Sequence, residues 1–426
     1  MGLKLLVSLL LLFRLVISVD FEPIYLDVEV DFQSDEKPQE PPTASPLPKC
    51  ETCPTIEQLQ AHGVGFALEA SHGTAVVRLY NGSFHHVALI EGDASYTALM
   101  RRLPMRLPRC IPLQFGTNWE QLQYHTSRAL RSLNIFLGRP STSEVGILAS
   151  MVSKLLEATQ VWLGDANPIA GAVLSTPFDS RLKAEEILDL FDYLKLQCLT
   201  DRYLLHPVLG ATHAAYADYG KCLCHNCLDA ADCARENLLL QPKEVLHLDL
   251  SNASFSGVVM SFKSSNPGGS AEASFTDSSL GPANGLRATK DDDSSSEMYW
   301  NDVSYRIRAL IFEVYTVHVD ELILTGPHAA DKRLHTAVKK ALHGLRVDEV
   351  ALKFLEDLES AANRDQEKLK SFLSFSTARG AAEIAKRAQE GPIRCAQSEE
   401  CRRRREQVHG QGQAMLVHQD PSGVST

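Results

Sequence analysis

Val64-Gly65-Phe66-Ala67-Leu68-Glu69-Ala70-Ser71-His72-Gly73-Thr74-Ala75-Val76-Val77-Arg78-Leu79 is an apolar strand, a break of small and polar residues and a second apolar strand. The same design returns between Val245 and Phe262, where Leu246-His247-Leu248-Asp249-Leu250 leads through Ser251-Asn252-Ala253-Ser254 into Gly257-Val258-Val259-Met260. Apolar runs around short polar breaks read as tight β-hairpins. One hairpin at the start of each half predicts a duplicated, two-lobed α/β fold whose hairpin loops face each other across a cleft.

The chain of 426 residues exceeds one comfortable hydrophobic core and suits two lobes. Its 44% apolar and 22% charged residues are ordinary for a globular protein. A net charge of −11 argues against a nucleic-acid partner, which wants a basic face. The basic run Arg402 to Arg405 reads as a solvated helix end within a charged, flexible tail, 391–426.

Lys4 precedes an apolar run from Leu5 to Ile17, broken by Arg14 and followed by Ser18, so residues 1–18 read as an export signal, with an uncleaved signal anchor as the alternative. The run is shorter than the ~20 residues a spanning helix needs. No membrane span is expected once the signal is removed, and Pro421 to Thr426 carries no ER-retrieval signal. The expected location is the secretory pathway, either secreted or in the ER lumen.

Ten cysteines fit an oxidising compartment. Cys50 and Cys53 before the first folded segment, and Cys395 and Cys401 after the last helix, are disulfide candidates. Cys222, Cys224, Cys227 and Cys233 cluster around His225; thiolates and an imidazole are also zinc ligands, but the spacing matches no paired knuckle, and export favours disulfides with no metal. Asn81-Gly-Ser83 and Asn252-Ala-Ser254 are glycosylation sequons.

Residues 19–55 read as a disordered Pro-rich acidic linker, 56–220 as the N-terminal lobe and 221–390 as the C-terminal lobe with a disordered loop over 264–297. Helical periodicity predicts helices over Thr117–Leu137, Glu144–Leu163, Arg181–Leu196, His206–Tyr219, Val303–Tyr315, Asp331–Leu345, Val347–Leu369 and Thr377–Gln389, with strands at Ala170–Leu174 and Val319–Leu324.

This order resembles the actin, sugar-kinase and DnaK-type chaperone superfamily, specifically the chaperone ATPase domain, over roughly Val64 to Glu390. Five stretches carry the resemblance in the family's order. Met151-Val152 through Leu163-Gly164 to Ser175-Thr176-Pro177-Phe178 is similar to the helix and strand that close in Val-Pro-x-Phe. His206-Pro207 to Tyr219-Gly220 is similar to the Glu-Pro-x-Ala-Ala helix, and Leu248-Asp249-Leu250 to the second phosphate strand. Leu322 to Gly326 resembles the adenosine turn and Ala378-Arg379-Gly380-Ala381-Ala382 the closing helix. The chain also resembles divergent chaperone-related proteins common in fungi.

The resemblance implies an actin-like (ribonuclease H-like) ATPase fold lacking the substrate-binding domain and most of the helical adenine-covering subdomain. It places a remnant nucleotide site at Ser71, Gly73, Asp249, Ser251, Ser254 and Gly326. The departures fall on the chemistry. Ala67 stands where the family has a magnesium-orienting Asp, Glu69-Ala70-Ser71 replaces Gly-Thr-Thr, Ser251-Asn252-Ala253 replaces three glycines, Ser256 replaces a further Asp, and no lysine lies near Gly138-Arg139-Pro140. Without glycine the backbone cannot close on phosphate, and without carboxylate Mg²⁺ loses a ligand shell.

The resemblance, with these departures, thus implies an exported pseudo-ATPase with no catalytic residues and no cofactor, acting by binding a protein partner. The alternative is a weak ATP-binding or ATP-hydrolysing chaperone-like protein using Asp249 and Ser254 with Mg-ATP; a sugar-kinase relative is disfavoured for want of a catalytic Asp. His213 and His225 read as structural, Ser71 and Ser254 as hairpin caps, and Asp179 and Glu185 as carboxylates favoured at a helix start rather than an acid/base pair. If the signal is processed, mass spectrometry of the native protein will find a chain beginning at Val19 or Asp20; an intact Met1 would refute the reading.

Overall fold

Gly63 to Leu68 form the central strand of the first sheet because nothing along them is polar until Glu69, and all six residues are buried. A strand buried on both faces reads as a continuous apolar run rather than an alternating one. The computed structural model describes residues 48–106, 118–164, 167–178, 180–204, 206–221, 241–262, 271–285, 293–314, 318–391 and 395–408, with positions 236 and 239. The described residues belong to one compact unit, Pro46–Thr426.

After a short helix α1 (Ile56–Gln60), β1 (Gly63–Leu68), β2 (His72–Arg78) and β3 (Phe84–Glu91) form an antiparallel meander. Three helices follow, α2 (Ala94–Arg102), α3 (Asn118–Phe136) and α4 (Ser143–Leu163), the last capped by the Thr142 hydroxyl. Strand β4 (Gly171–Thr176) then adds parallel to β1. Next come α5 (Ala184–Leu194), β5 (Gln197–Cys198), α6 (Leu199–Leu204), β6 (Leu209–Gly210) and α7 (Ala211–Asp218). β5 and β6 both pair parallel with β4, giving the order β3-β2-β1-β4-β5 with β6 beside β4.

The second sheet repeats this pattern. β7 (Lys243–Leu250), β8 (Phe255–Phe262) and β9 (Ala271–Asp277) form an antiparallel meander. After a helical turn α8 (Pro282–Gly285), the helix α9 (Asp293–Phe312) and a short β10 (His318–Val319), strand β11 (Glu321–Thr325) lies parallel to β7. The order β9-β8-β7-β11 matches β3-β2-β1-β4 in sequence and sense. Helix α10 (Lys332–Leu342), β12 (Arg346–Val347, parallel to β10), α11 (Glu349–Arg364), α12 (Gln366–Ser374) and α13 (Ser376–Glu390) complete the elements.

Each sheet has its own core. Phe66, Leu68, Leu148, Val152 and Phe191 anchor the first, and Leu248, Phe255, Ile307, Leu324 and Leu334 the second. Between them runs α13, packed on β1, β2, β4 and α7. A Cβ on Gly380 would lie 1.6 Å from the Ala214 carbonyl of α7, so only glycine permits this helix crossing.

Several expectations are corrected. Residues 48–55, expected within the disordered linker, are tied down: Lys49 bridges Ala396, Cys50 is bonded to Cys395 and Cys53 to Cys401. Residues 399–408, expected within the flexible tail, are helical, with Cys401 and Val408 buried. Arg402 and Arg403 of the basic run are exposed as expected, but Arg405 is buried, donating to the Glu390 carbonyl at 2.6 Å. The expected loop over 264–297 holds β9 and the start of α9; β9 escaped the apolar pattern because only its Phe275 is buried. His206–Tyr219 is not one helix, since Leu209 and Gly210 pair with Ser175 and Thr176 before α7 begins. Val347–Leu369 divides into α11 and α12 at Asp365, whose side chain caps α12.

Residues 1–18, most of the linker and the cluster Cys222, Cys224, Cys227, Cys233 with His225 lie outside the described residues. The packing at Gly380 gives a direct test. Gly380→Ala should lower unfolding stability by at least about 3 kcal/mol in urea titration. A loss under about 1 kcal/mol would mean that the two helices do not cross this closely.

Candidate functional site

The ends of β1 and β7 bring Glu69 and Asp249 to one small cavity of about 50 Å³, which Pro177, Phe178, Thr212, Ser254 and Ser256 also line. Glu69 is buried, and its Oε1 accepts a 2.7 Å bond from Thr377 of α13. Burial first, and the neighbouring Asp249 charge second, push the Glu69 carboxyl up to about 8.

Asp249 ends a buried polar relay. Thr325 Oγ1 donates to Asp249 Oδ1 at 2.8 Å and lies 2.8 Å from His247 Nε2, while His247 Nδ1 lies 2.9 Å from Thr212 Oγ1. The single Thr325 proton goes to the carboxylate, so His247 Nε2 donates to Thr325 and Nδ1 accepts from Thr212. Burial pushes His247 down to about 3, which keeps the ring neutral and this proton order fixed. The relay thereby ties α7, β7 and β11 to the carboxylate.

Both hairpin loops are held by hydrogen bonds. In the first, Glu69 N–H donates to the His72 carbonyl, Tyr96 OH donates to the carbonyls of Glu69 and His72 at 2.7 and 3.1 Å, and Gly92 N–H takes the Ser71 carbonyl. Ser71 Oγ bonds His72 Nδ1 at 3.2 Å. In the second, Ser251 N–H donates to the Ser254 carbonyl at 3.1 Å and Ser254 N–H to Ser251 Oγ at 3.2 Å. Gly281 covers the loop so closely that a Cβ there would lie 2.4 Å from Ala253 C. Asn252 is exposed, with its carbonyl taken by Ala283 N–H.

Of the six residues expected at the site, Asp249 and Ser254 line the cavity, and Ser251 closes the loop beside Ser254. Ser71 is buried against His72. Gly73 belongs to β2 and faces Leu155 and Met151 of α4, so its small size serves the core. Gly326, at φ +98°, turns the chain after β11 against the end of β7, where a Cβ would come 2.9 Å from Asp249 Oδ1. Glu69 entered the sequence reading only as a departure; its role needed Thr377 of α13 to be placed beside it.

His213 is buried against Phe262 and pushed to about 4 by burial. Glu185 is an exposed helix-start carboxylate 3.3 Å from Arg131. Asp179 lies outside the described residues. Among the described residues no cluster of three or more His, Cys, Asp or Glu side chains could hold a metal, and no helix is long and apolar enough to cross a membrane. Comparison with known proteins finds no family model and no curated protein that matches this chain.

The titrating groups set a pH profile. Glu69 has a folded pKa above its unfolded value of 4.5, so its stabilisation is complete below pH 4.5 and is lost as pH rises to about 8. His72, His86 and His213, pushed to about 4, and His247, pushed to about 3, act oppositely: their contribution is complete above 6.5 and is lost as pH falls through the folded values. Thermal unfolding should show maximum stability near pH 6.5. Glu69→Gln, which preserves the acceptor for Thr377, should flatten the alkaline limb alone; an unchanged limb would mean that Glu69 is ionised in the fold.

Proposed function

We propose that this chain is an exported, chaperone-related protein of the actin-like ATPase fold, a pseudo-ATPase that acts as a non-catalytic binding or interaction protein. The matched order and sense of β3-β2-β1-β4 and β9-β8-β7-β11 support the duplicated fold. The two disulfides joining residues 50 and 53 to 395 and 401 support an oxidising compartment.

The observation that carries the non-catalytic reading is the closed Ser251–Ser254 loop. Phosphate-gripping hairpins work by aiming free backbone N–H groups at the ligand. Here the N–H groups of Ser251 and Ser254 are engaged inside the loop. The Asp249 carboxylate adds to the obstacle, since it faces the same small cavity as Glu69 and repels a polyanion unless a cation intervenes. Phosphoryl transfer depends on positioning and on electrostatic stabilisation of the transferred group, and engaging these two N–H groups removes two of the donors that such a loop would supply.

Titration calorimetry with Mg-ATP tests the proposal. The expected result is no heat of binding or a dissociation constant no tighter than about 1 mM, some −4 kcal/mol. Micromolar affinity that disappears in Asp249→Ala would establish a working nucleotide site and overturn the proposal.

A further inference from the structure

Four cysteines from distant parts of the chain meet in one place. Cys50-Glu51-Thr52-Cys53 is a Cys-x-x-Cys pair, a spacing at which the two sulfurs can bond each other. Here they do not: Cys50 is bonded to Cys395 and Cys53 to Cys401. Lys49 bridges Ala396 in a parallel sense, Cys50 N–H donates to the Ala396 carbonyl at 3.0 Å, and Ala396 N–H donates to the Pro48 carbonyl at 2.8 Å. The segments that carry the two disulfides therefore run side by side.

The two bonds differ in access and in what can leave. Cys50, Cys53 and Cys395 are half-buried, whereas Cys401 is 3% exposed. Cys401 lies in the first turn of the helix over 399–408, and Ser398 caps that turn, its Oγ accepting from Cys401 N–H at 3.4 Å. A disulfide sulfur carries no proton, so the Ser398 hydroxyl is the donor to sulfur. It lies 3.1 Å from Cys401 Sγ and 3.9 Å from Cys53 Sγ, which makes Cys401 the favoured acceptor. A hydroxyl donor and a helix N-terminus both stabilise a thiolate, and a stabilised thiolate leaves faster. An outside thiol thus reaches the Cys50–Cys395 bond, while Cys401 is the sulfur prepared to depart.

We propose that these four cysteines form one thiol–disulfide exchange site for a dithiol reductant, in which Cys50 displaces Cys401 and unclamps the helix over 399–408. A thiolate of the dithiol attacks Cys395 Sγ, forming a mixed disulfide and expelling Cys50 as a thiolate. Cys50 attacks Cys53 Sγ; the Cys50–Cys53 bond forms, the Cys53–Cys401 bond breaks, and the electron pair leaves on Cys401. The second thiol of the reductant attacks the mixed disulfide, which closes the reductant's own disulfide and releases Cys395. One dithiol is oxidised, the two protein disulfides become one, and the protons of the dithiol end on Cys395 and Cys401. The helix then keeps only noncovalent ties to its surroundings, among them Arg405 to the Glu390 carbonyl at 2.6 Å and Arg404 to the Pro54 carbonyl at 3.4 Å. The inference rests on the two disulfides and is independent of whether nucleotide binds.

The test is titration of the full chain with dithiothreitol, quenching with iodoacetamide and peptide mapping. A species with a Cys50–Cys53 bond and alkylated Cys395 and Cys401 is expected before any with all four thiols free. Amide hydrogen exchange over 399–408 should then quicken about tenfold while that of β1 stays unchanged. In the double variant Cys50→Ala, Cys395→Ala the internal attacker is gone, and the Cys53–Cys401 bond should survive about tenfold more dithiothreitol. Ser398→Ala should slow release of Cys401 about threefold and leave cleavage at Cys395 as it was. Passage straight to four thiols, unchanged exchange over 399–408, or a Cys53–Cys401 bond that opens as readily in the double variant would overturn the proposal.

Discussion

Gly380 of α13 lies so close to Ala214 of α7 that the two helix backbones touch, and the rest of the structure is arranged around that crossing. The same helix lies on β1, where a Cβ on Gly65 would come 2.2 Å from the Ala382 nitrogen. Backbone-to-backbone approach of this kind leaves no room for side-chain adjustment, so small shifts at α13 must be carried into the first sheet and into α7. Ala378, Ala381, Ala382 and Ala385 supply the small surface that makes it possible.

Polar contacts fix the register of that helix. Arg379 forks onto Asp218 with bonds of 2.7 and 2.6 Å, and Ser376 donates to the same carboxylate. Farther along, Lys386 donates to the carbonyls of Leu59 and Ala61 at 2.6 and 3.0 Å and pairs with Glu390. Glu390 also receives Arg405 from the helix over 399–408, which the Cys53–Cys401 disulfide clamps to the segment before α1. Buried pairs of this sort contribute less net stability than their count suggests, because desolvation offsets much of the attraction. Their strength is directional: removing one partner strands the other, which makes sliding of α13 costly.

The cleft inherits its chemistry from this scaffold. Thr377, one helix position after Ser376, holds Glu69, and the relay from Thr212 through His247 and Thr325 holds Asp249. Two carboxylates are thereby presented to one cavity with neither able to turn away, and burial answers by keeping Glu69 protonated. Ser254 and Ser256 line the same cavity.

By itself the sequence determined the elements that carry a clear apolar period. The hairpins Gly63–Arg78 and Lys243–Phe262, the long helices α3 and α4 and the closing helix α13 were legible because apolar periodicity is a local property. Only the tertiary structure decided the others. β9 has an ordinary polar composition and becomes a strand because β8 offers it an edge; β6 interrupts a helical pattern because β4 offers another. The role of Glu69 depends on Thr377, 308 positions away, and the disulfide partners are 345 and 348 positions apart, distances over which no local pattern carries information.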